Sequence, residues 1–224
     1  MPRTLVAGVG SQGPGDSESS PFPLSPSPPP LSAQLHYGIR PLATAGRIAV
    51  KIIVSEEQIR QSIERLAGEI RQRESGRQLT VIAVMTGSIV FLADLIRKLD
   101  LPLRVGLIQA RSYAGTERGS LSINAEMLPD IAGRDVLLID DIFDTGHTLL
   151  EVISLLDEFR PKSIRSAVLV LKRGKQKVQM RPDYIGFEIP DVFVVGYGLD
   201  YNDAYRNLPY LAALEPEDIA AHSS

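Results

Sequence analysis

The chain contains no cysteine in its 224 residues, which excludes disulfides and thiolate metal sites. It also lacks any excess of basic charge. Its 24 Lys and Arg against 27 Asp and Glu leave a formal net charge of −3, so nothing in the balance suggests a nucleic-acid partner. Long apolar runs are missing too: charges interrupt them well short of the ~20 residues a membrane span needs. The N-terminus carries Arg3 but no apolar core of signal-peptide length, which predicts a cytoplasmic protein with no membrane partner. What is present is a hydrophobic fraction of 44%, enough for an ordinary core, in a length that fits one α/β domain plus an appendage.

The appendage is the N-terminus. Half of the 16 prolines fall within residues 1–30, ending in Pro28-Pro29-Pro30. A segment so rich in Pro, Ser and Gly buries too little apolar surface to offset its ordering entropy. Residues 1–40 are therefore expected to be a disordered tail and residues 41–224 the folded domain. The tail holds a decoy, Gly8 to Gly13, with the G-x-G-x-x-G dinucleotide pattern. No strand precedes it and Pro14-Gly15-Asp16 follows instead of a helix, so the motif is rejected.

Beyond the tail, strands alternate with helices. Arg47–Val54 reads as an entering strand. Ser55 is an N-cap, followed by a helix with Ile59, Ile63, Leu66, Ala67 and Ile70 as its apolar stripe and Ser75-Gly76 as its stop. Residues 80–85 form a strand, Thr86-Gly87-Ser88 a tight turn, 89–99 a helix and 103–110 a strand. Residues 111–126 are polar and without period, a long loop of the kind that usually serves function. Further strands are expected over 163–171, 182–190 and 192–197. The alternation implies an α/β fold with a mostly parallel sheet flanked by helices, binding ligands at the carboxyl ends of the strands.

The most informative stretch is 136–148. It opens as an apolar run short enough to be a strand buried on both faces, then presents Asp140, Asp141 and Asp144 where that strand should end. Thr145, Gly146, His147 and Thr148 open a helix whose inward positions are Leu149, Val152, Ile153, Leu156 and Phe159. A strand, an acidic tip, a small-residue turn and a helix N-terminus can hold a phosphate on backbone N–H groups and the helix dipole. The adjacent carboxylates would repel a bare phosphate, so the ligand should also bring hydroxyls or a divalent cation. The P-loop signature G-x-x-x-x-G-K-[ST] is missing, which argues against an ATPase or GTPase.

The acidic pair followed by Asp144-Thr145-Gly146-His147-Thr148 resembles the phosphoribosyl-pyrophosphate (PRPP) motif of the type I phosphoribosyltransferases. Residues 187–210 narrow the resemblance to the hypoxanthine-guanine phosphoribosyltransferases. It implies that fold, with a small hood built from the N-terminal and C-terminal segments. It also implies a Mg²⁺-dependent purine-salvage enzyme that converts hypoxanthine, and guanine, with PRPP to IMP or GMP and pyrophosphate.

On that resemblance Thr145, Gly146, His147 and Thr148 hold the 5-phosphate, Asp140 and Asp141 lie along the ribose hydroxyls, and Asp144 is the general base. Thr86, Gly87 and Ser88, with a cis peptide at Met85–Thr86, and Arg206 contact pyrophosphate. Ser112 and Tyr113 belong to a lid that keeps water from the reacting sugar. Lys172 donates to the purine O6, Phe193 stacks on the base, the Val194 backbone reads its edge, and Asp200 completes the purine site. Asp140, Asp141 and Asp200 are the metal-side carboxylates. Many relatives carry basic residues where this chain has Thr86 and His147. The resemblance also implies a homo-oligomer, dimer or tetramer. Two alternatives stay open: a regulator of the same fold that binds PRPP or RNA without turnover, and a xanthine-preferring transferase.

Overall fold

The computed structural model describes residues 51–112 and 121–215. The expected tail over 1–40 therefore lies outside the described residues. Strand β1 (Lys51–Val54) leads to helix α1 (Glu56–Glu74), and a capping box starts that helix. The Ser55 hydroxyl accepts from the Gln58 N–H, while Gln58 Oε1 accepts from the Ser55 N–H. The predicted stripe Ile59, Ile63, Leu66, Ala67 and Ile70 is buried. Strand β2 (Leu79–Met85) and helix α2 (Ile89–Leu99) follow, the helix ending at left-handed Asp100 just before Pro102. Strands β3 (Leu103–Ser112) and β4 (Leu121–Asn124) come next, then β5 (Asp135–Phe143), helix α3 (His147–Glu158), β6 (Ser163–Lys172), β7 (Tyr184–Ile189), β8 (Phe193–Val195) and β9 (Leu211–Leu214).

Six strands form one sheet in the order β4-β3-β2-β5-β6-β7, parallel except for the β3–β4 pair. Alternate residues of each strand face opposite layers. Val81 and Ala83 of β2 join the core under α1 and α2, while Ile82 and Val84 pack with Leu149, Val152 and Leu156 of α3. Both faces of the sheet are thus covered, which is why its strands read as continuous apolar runs. A second, antiparallel sheet of order β1-β9-β8 joins the first described strand to the last two, as expected for the hood.

Several expectations are corrected. The region 111–126 is not all loop, because β3 runs on to Ser112 and pairs with β4. A four-residue edge strand gives too few positions to show a period of two. Strand β9 went unpredicted, and β7 and β8 are shorter than expected. Phe159 does not face inward. It is the C-cap of α3, beyond the last buried turn, and is 44% exposed. The acidic pair does not end its strand, which continues through Asp140 and Asp141 to Phe143.

Candidate active site

The centre of the large sheet is where its connections change direction. From β2 the chain moves outward to β3, and from β5 it moves the other way to β6, so the carboxyl ends of β2 and β5 flank a crevice. The pairing makes room there. The β2–β5 ladder stops at Ala83↔Ile139, whereas β2 continues with β3 to Met85↔Gln109 and β5 continues with β6 to Phe143↔Leu171. The two central strands part directly before Asp140. A cavity of about 260 Å³ opens at that point, lined by Thr86, Gly87, Asp140, Asp141, Thr148, Asp200 and Arg206 among others.

Its walls are set by backbone geometry. The Met85–Thr86 peptide is cis. A Cβ on Gly87 would lie 1.6 Å from Asp141 Oδ2, and one on Gly198 would lie 2.1 Å from the Gly87 carbonyl oxygen. Only glycine at both positions lets the turn after β2, the acidic tip and the segment carrying Asp200 close on one another. Ser88 turns its hydroxyl away, donating to the Val84 carbonyl at 2.5 Å, so only its backbone is available to a ligand. Gly146, at φ +88°, is the N-cap of α3 and supplies no side chain to its first turn. A Cβ there would meet Val178 at 2.4 Å and the Phe143 ring at 2.7 Å. The N–H groups opening α3 are therefore left to a ligand, with Thr148 on the cavity wall and His147 exposed.

The acidic pair is electrostatically loaded. Asp140 is 6% exposed. Burial pushes its carboxyl well above its ordinary pKa, and the adjacent Asp141 carboxylate pushes it further. Burial also raises Asp141, against the lowering influence of a hydrogen bond with Asp140, the Ile142 N–H and the Arg206 charge. A buried carboxylate beside a half-buried one favours sharing a proton unless a cation arrives. That donor set suits Mg²⁺, which binds through one or two carboxylates and completes its shell with water and substrate phosphates. Asp200 is differently placed. Its carboxylate is paired with Arg206 at 2.9 Å and accepts from the Asp203 N–H at 2.9 Å. Arg206 also donates to the Gly198 carbonyl at 2.8 Å.

A second group of residues lies at the end of β6. Lys172 is 8% exposed, with its Nζ 3.3 Å from Asp144 Oδ2. The other Asp144 oxygen, Oδ1, is buried with no hydrogen-bond partner. Phe193 sits 40% exposed on β8, and its ring meets Tyr201 edge-on at 5.4 Å and 86°. Val194 is buried, in a strand that is the outer member of its sheet. Ser112 ends β3, and Tyr113 lies outside the described residues. Sequence reading missed Asp191, which lies 3.8 Å from Lys172. It also missed Tyr197, whose hydroxyl donates to Asp94 and ties the segment before Asp200 to α2. The only sequence signal for either was position next to residues already singled out.

The chain belongs to the phosphoribosyl transferase domain family, whose model matches residues 49–202. Within that family it stands with the hypoxanthine-guanine phosphoribosyltransferases. It is 37% identical over 168 residues to the hypoxanthine-guanine phosphoribosyltransferase of Bacillus subtilis, covering 74% of this chain and 93% of that protein. It is equally similar, at 37% over 169 residues, to the bifunctional protein TilS/HprT of Listeria monocytogenes, but there 75% of this chain spans only 26% of the relative. A solved hypoxanthine phosphoribosyl transferase from Trypanosoma cruzi superposes with a TM-score of 0.74 at 34% identity, covering 80% of this chain and 98% of that one. The fold is thus the type I phosphoribosyltransferase fold. Among the described residues, no helix is long and apolar enough to cross a membrane.

Proposed function

We propose that this chain transfers the phosphoribosyl group of PRPP to hypoxanthine, and to guanine, giving IMP or GMP and pyrophosphate. The observation that carries this reading is the shared cavity of Asp140, Asp141, Thr148, Thr86 and Gly87, with Asp144 and Lys172 paired where β5 and β6 end. The helix-opening N–H groups of residues 145–148 hold the 5-phosphate. Asp140 and Asp141 lie along the ribose and stabilise positive charge on the sugar as pyrophosphate departs. Thr86, the Gly87 backbone and Arg206 receive the pyrophosphate. Asp140 and Asp141 would hold Mg²⁺, with Asp200, held by Arg206, on the same cavity wall; the ion would neutralise charge on the leaving group.

Asp144 Oδ1, buried and unpartnered, is the acceptor for the purine N7 proton. Lys172 donates to the 6-oxo group, Phe193 stacks on the ring, and the backbone of Val194 reads the base edge. A buried ammonium facing a 6-amino group would set donor against donor, which disfavours adenine. A homo-oligomer, dimer or tetramer, and a cytoplasmic location complete this reading. The test is initial rates with hypoxanthine, guanine, xanthine and adenine, each with PRPP and Mg²⁺. Hypoxanthine should turn over at least ~10²-fold faster than adenine. Absence of IMP formation, or adenine matching hypoxanthine, would overturn it; xanthine leading the series would favour the xanthine-preferring alternative.

A further inference from the structure

Lys172 is held between two carboxylates, of which the proposed reaction uses one. Its Nζ lies 3.3 Å from Asp144 Oδ2 and 3.8 Å from Asp191 Oδ1. Asp191 is anchored on its far side, with Oδ2 3.1 Å from Lys175 Nζ. The hydrogen bond to Asp191, then the Asp144 charge, raise the Lys175 pKa above its ordinary value. The backbone fixes the same arrangement. The Arg173 N–H donates to the Ile189 carbonyl at 2.8 Å and the Val192 N–H to the Pro190 carbonyl at 3.0 Å, which pins the β7–β8 connection beside the end of β6. Asp191 therefore stays next to Lys172 for reasons independent of any bound base.

A buried ammonium needs a lasting counter-charge. If Asp144 takes the purine proton on Oδ1, it becomes neutral and stops supplying one. Asp191 is then the one remaining carboxylate within 4 Å of Lys172 among the described residues. We propose that Asp191 is a positioning residue that keeps a counter-charge beside Lys172 and holds it directed at the purine 6-oxo group while Asp144 carries the proton. Lys175 holds Asp191 to that task. The inference rests on the assignment of Asp144 and Lys172 to base handling.

The test is Asp191→Asn, assayed with hypoxanthine and PRPP, beside Asp191→Glu. The expected result is a KM for hypoxanthine raised about tenfold with kcat lowered. The KM for PRPP and the melting temperature should be unchanged, and Asp191→Glu should recover most of the loss. A purely structural residue would not separate the two substrates in this way. Calorimetric titration of IMP into the single and double variants completes the test. In the Lys172→Ala background, Asp191→Asn should change affinity less than about twofold. A hypoxanthine KM within twofold of the unaltered protein, an equal rise in PRPP KM, or penalties that simply multiply in the double variant would each overturn the role of Asp191. If the unaltered protein makes no IMP at all, the assignment of the site fails and takes this inference with it. Normal turnover with an indifferent Asp191→Asn defeats the inference alone.

Discussion

Replacing Gly87 with alanine tests whether the crevice between β2 and β5 is the reacting site. The added Cβ would lie 1.6 Å from Asp141 Oδ2 and 2.6 Å from its Cγ. Ordinary contact begins near ~3.5 Å, so something must give by roughly 2 Å. The turn has little room to retreat, because the Gly87 carbonyl oxygen is 2.1 Å from where a Gly198 Cβ would stand. The Asp141 carboxylate is the freer partner and should swing from its place. A misplacement of about 1 Å at a reacting centre costs on the order of 10²-fold. The expected fall in kcat/KM is therefore at least ~10²-fold, about 2.7 kcal/mol of transition-state stabilisation. The matched control is Gly68→Ala within α1, where an added Cβ meets nothing within 4 Å. Alanine is the better helix former there by about 1 kcal/mol, so melting should rise by roughly 2–4 °C with turnover unchanged. If Gly87→Ala kept kcat/KM within about threefold while folding normally, Asp141 would have no part in turnover and the site would be misplaced.

Three further expectations concern separate parts of the chain. Asp144→Asn should collapse turnover while leaving PRPP affinity nearly intact, as read by single-turnover kinetics and equilibrium titration; unchanged turnover would remove Asp144 from the mechanism. At the opposite end of β5, Asp135 is 2% exposed, and its carboxylate accepts from Ser163 at 2.7 Å and pairs with Arg77 at 3.2 Å and Lys162 at 3.3 Å. Burial alone would raise its pKa, but these partners outweigh it and hold the carboxyl below its ordinary value. The unfolded chain therefore takes up that proton first as pH falls. The stabilisation is full above the unfolded value of about 3.9 and drains away as pH drops through the lower folded value. Asp135→Asn should cost about 1–3 kcal/mol in urea unfolding at pH 7, and a deficit that failed to shrink near pH 3 would contradict the sign. Removing residues 1–40 should leave rate and melting temperature nearly unaltered, and a large loss of either would make that segment structural.

Much of the fold and of the candidate site was legible in the sequence where the cause is local. Ser55 caps α1 because its hydroxyl reaches an N–H one turn on, and the residues around it declare as much. The small-residue turn at Gly146 was visible in the strand–turn–helix pattern, although the Val178 and Phe143 contacts that require glycine there were not. Strand β9 was illegible because it is fixed between β8 and the first described strand, β1, more than 150 residues away, and four apolar residues carry no information about so distant a neighbour. Asp191 failed for the same reason in electrostatic form: its meaning lies in the Lys172 ammonium beside it in space, and no spacing rule links them. Asp140 was recognised as an acid, but its placement was misjudged. Hydropathy expects a strand to end before a carboxylate, yet this strand runs on and buries it. Burying an acid beside a second one works against stability, so the place where the pattern rule breaks is the place to look for chemistry.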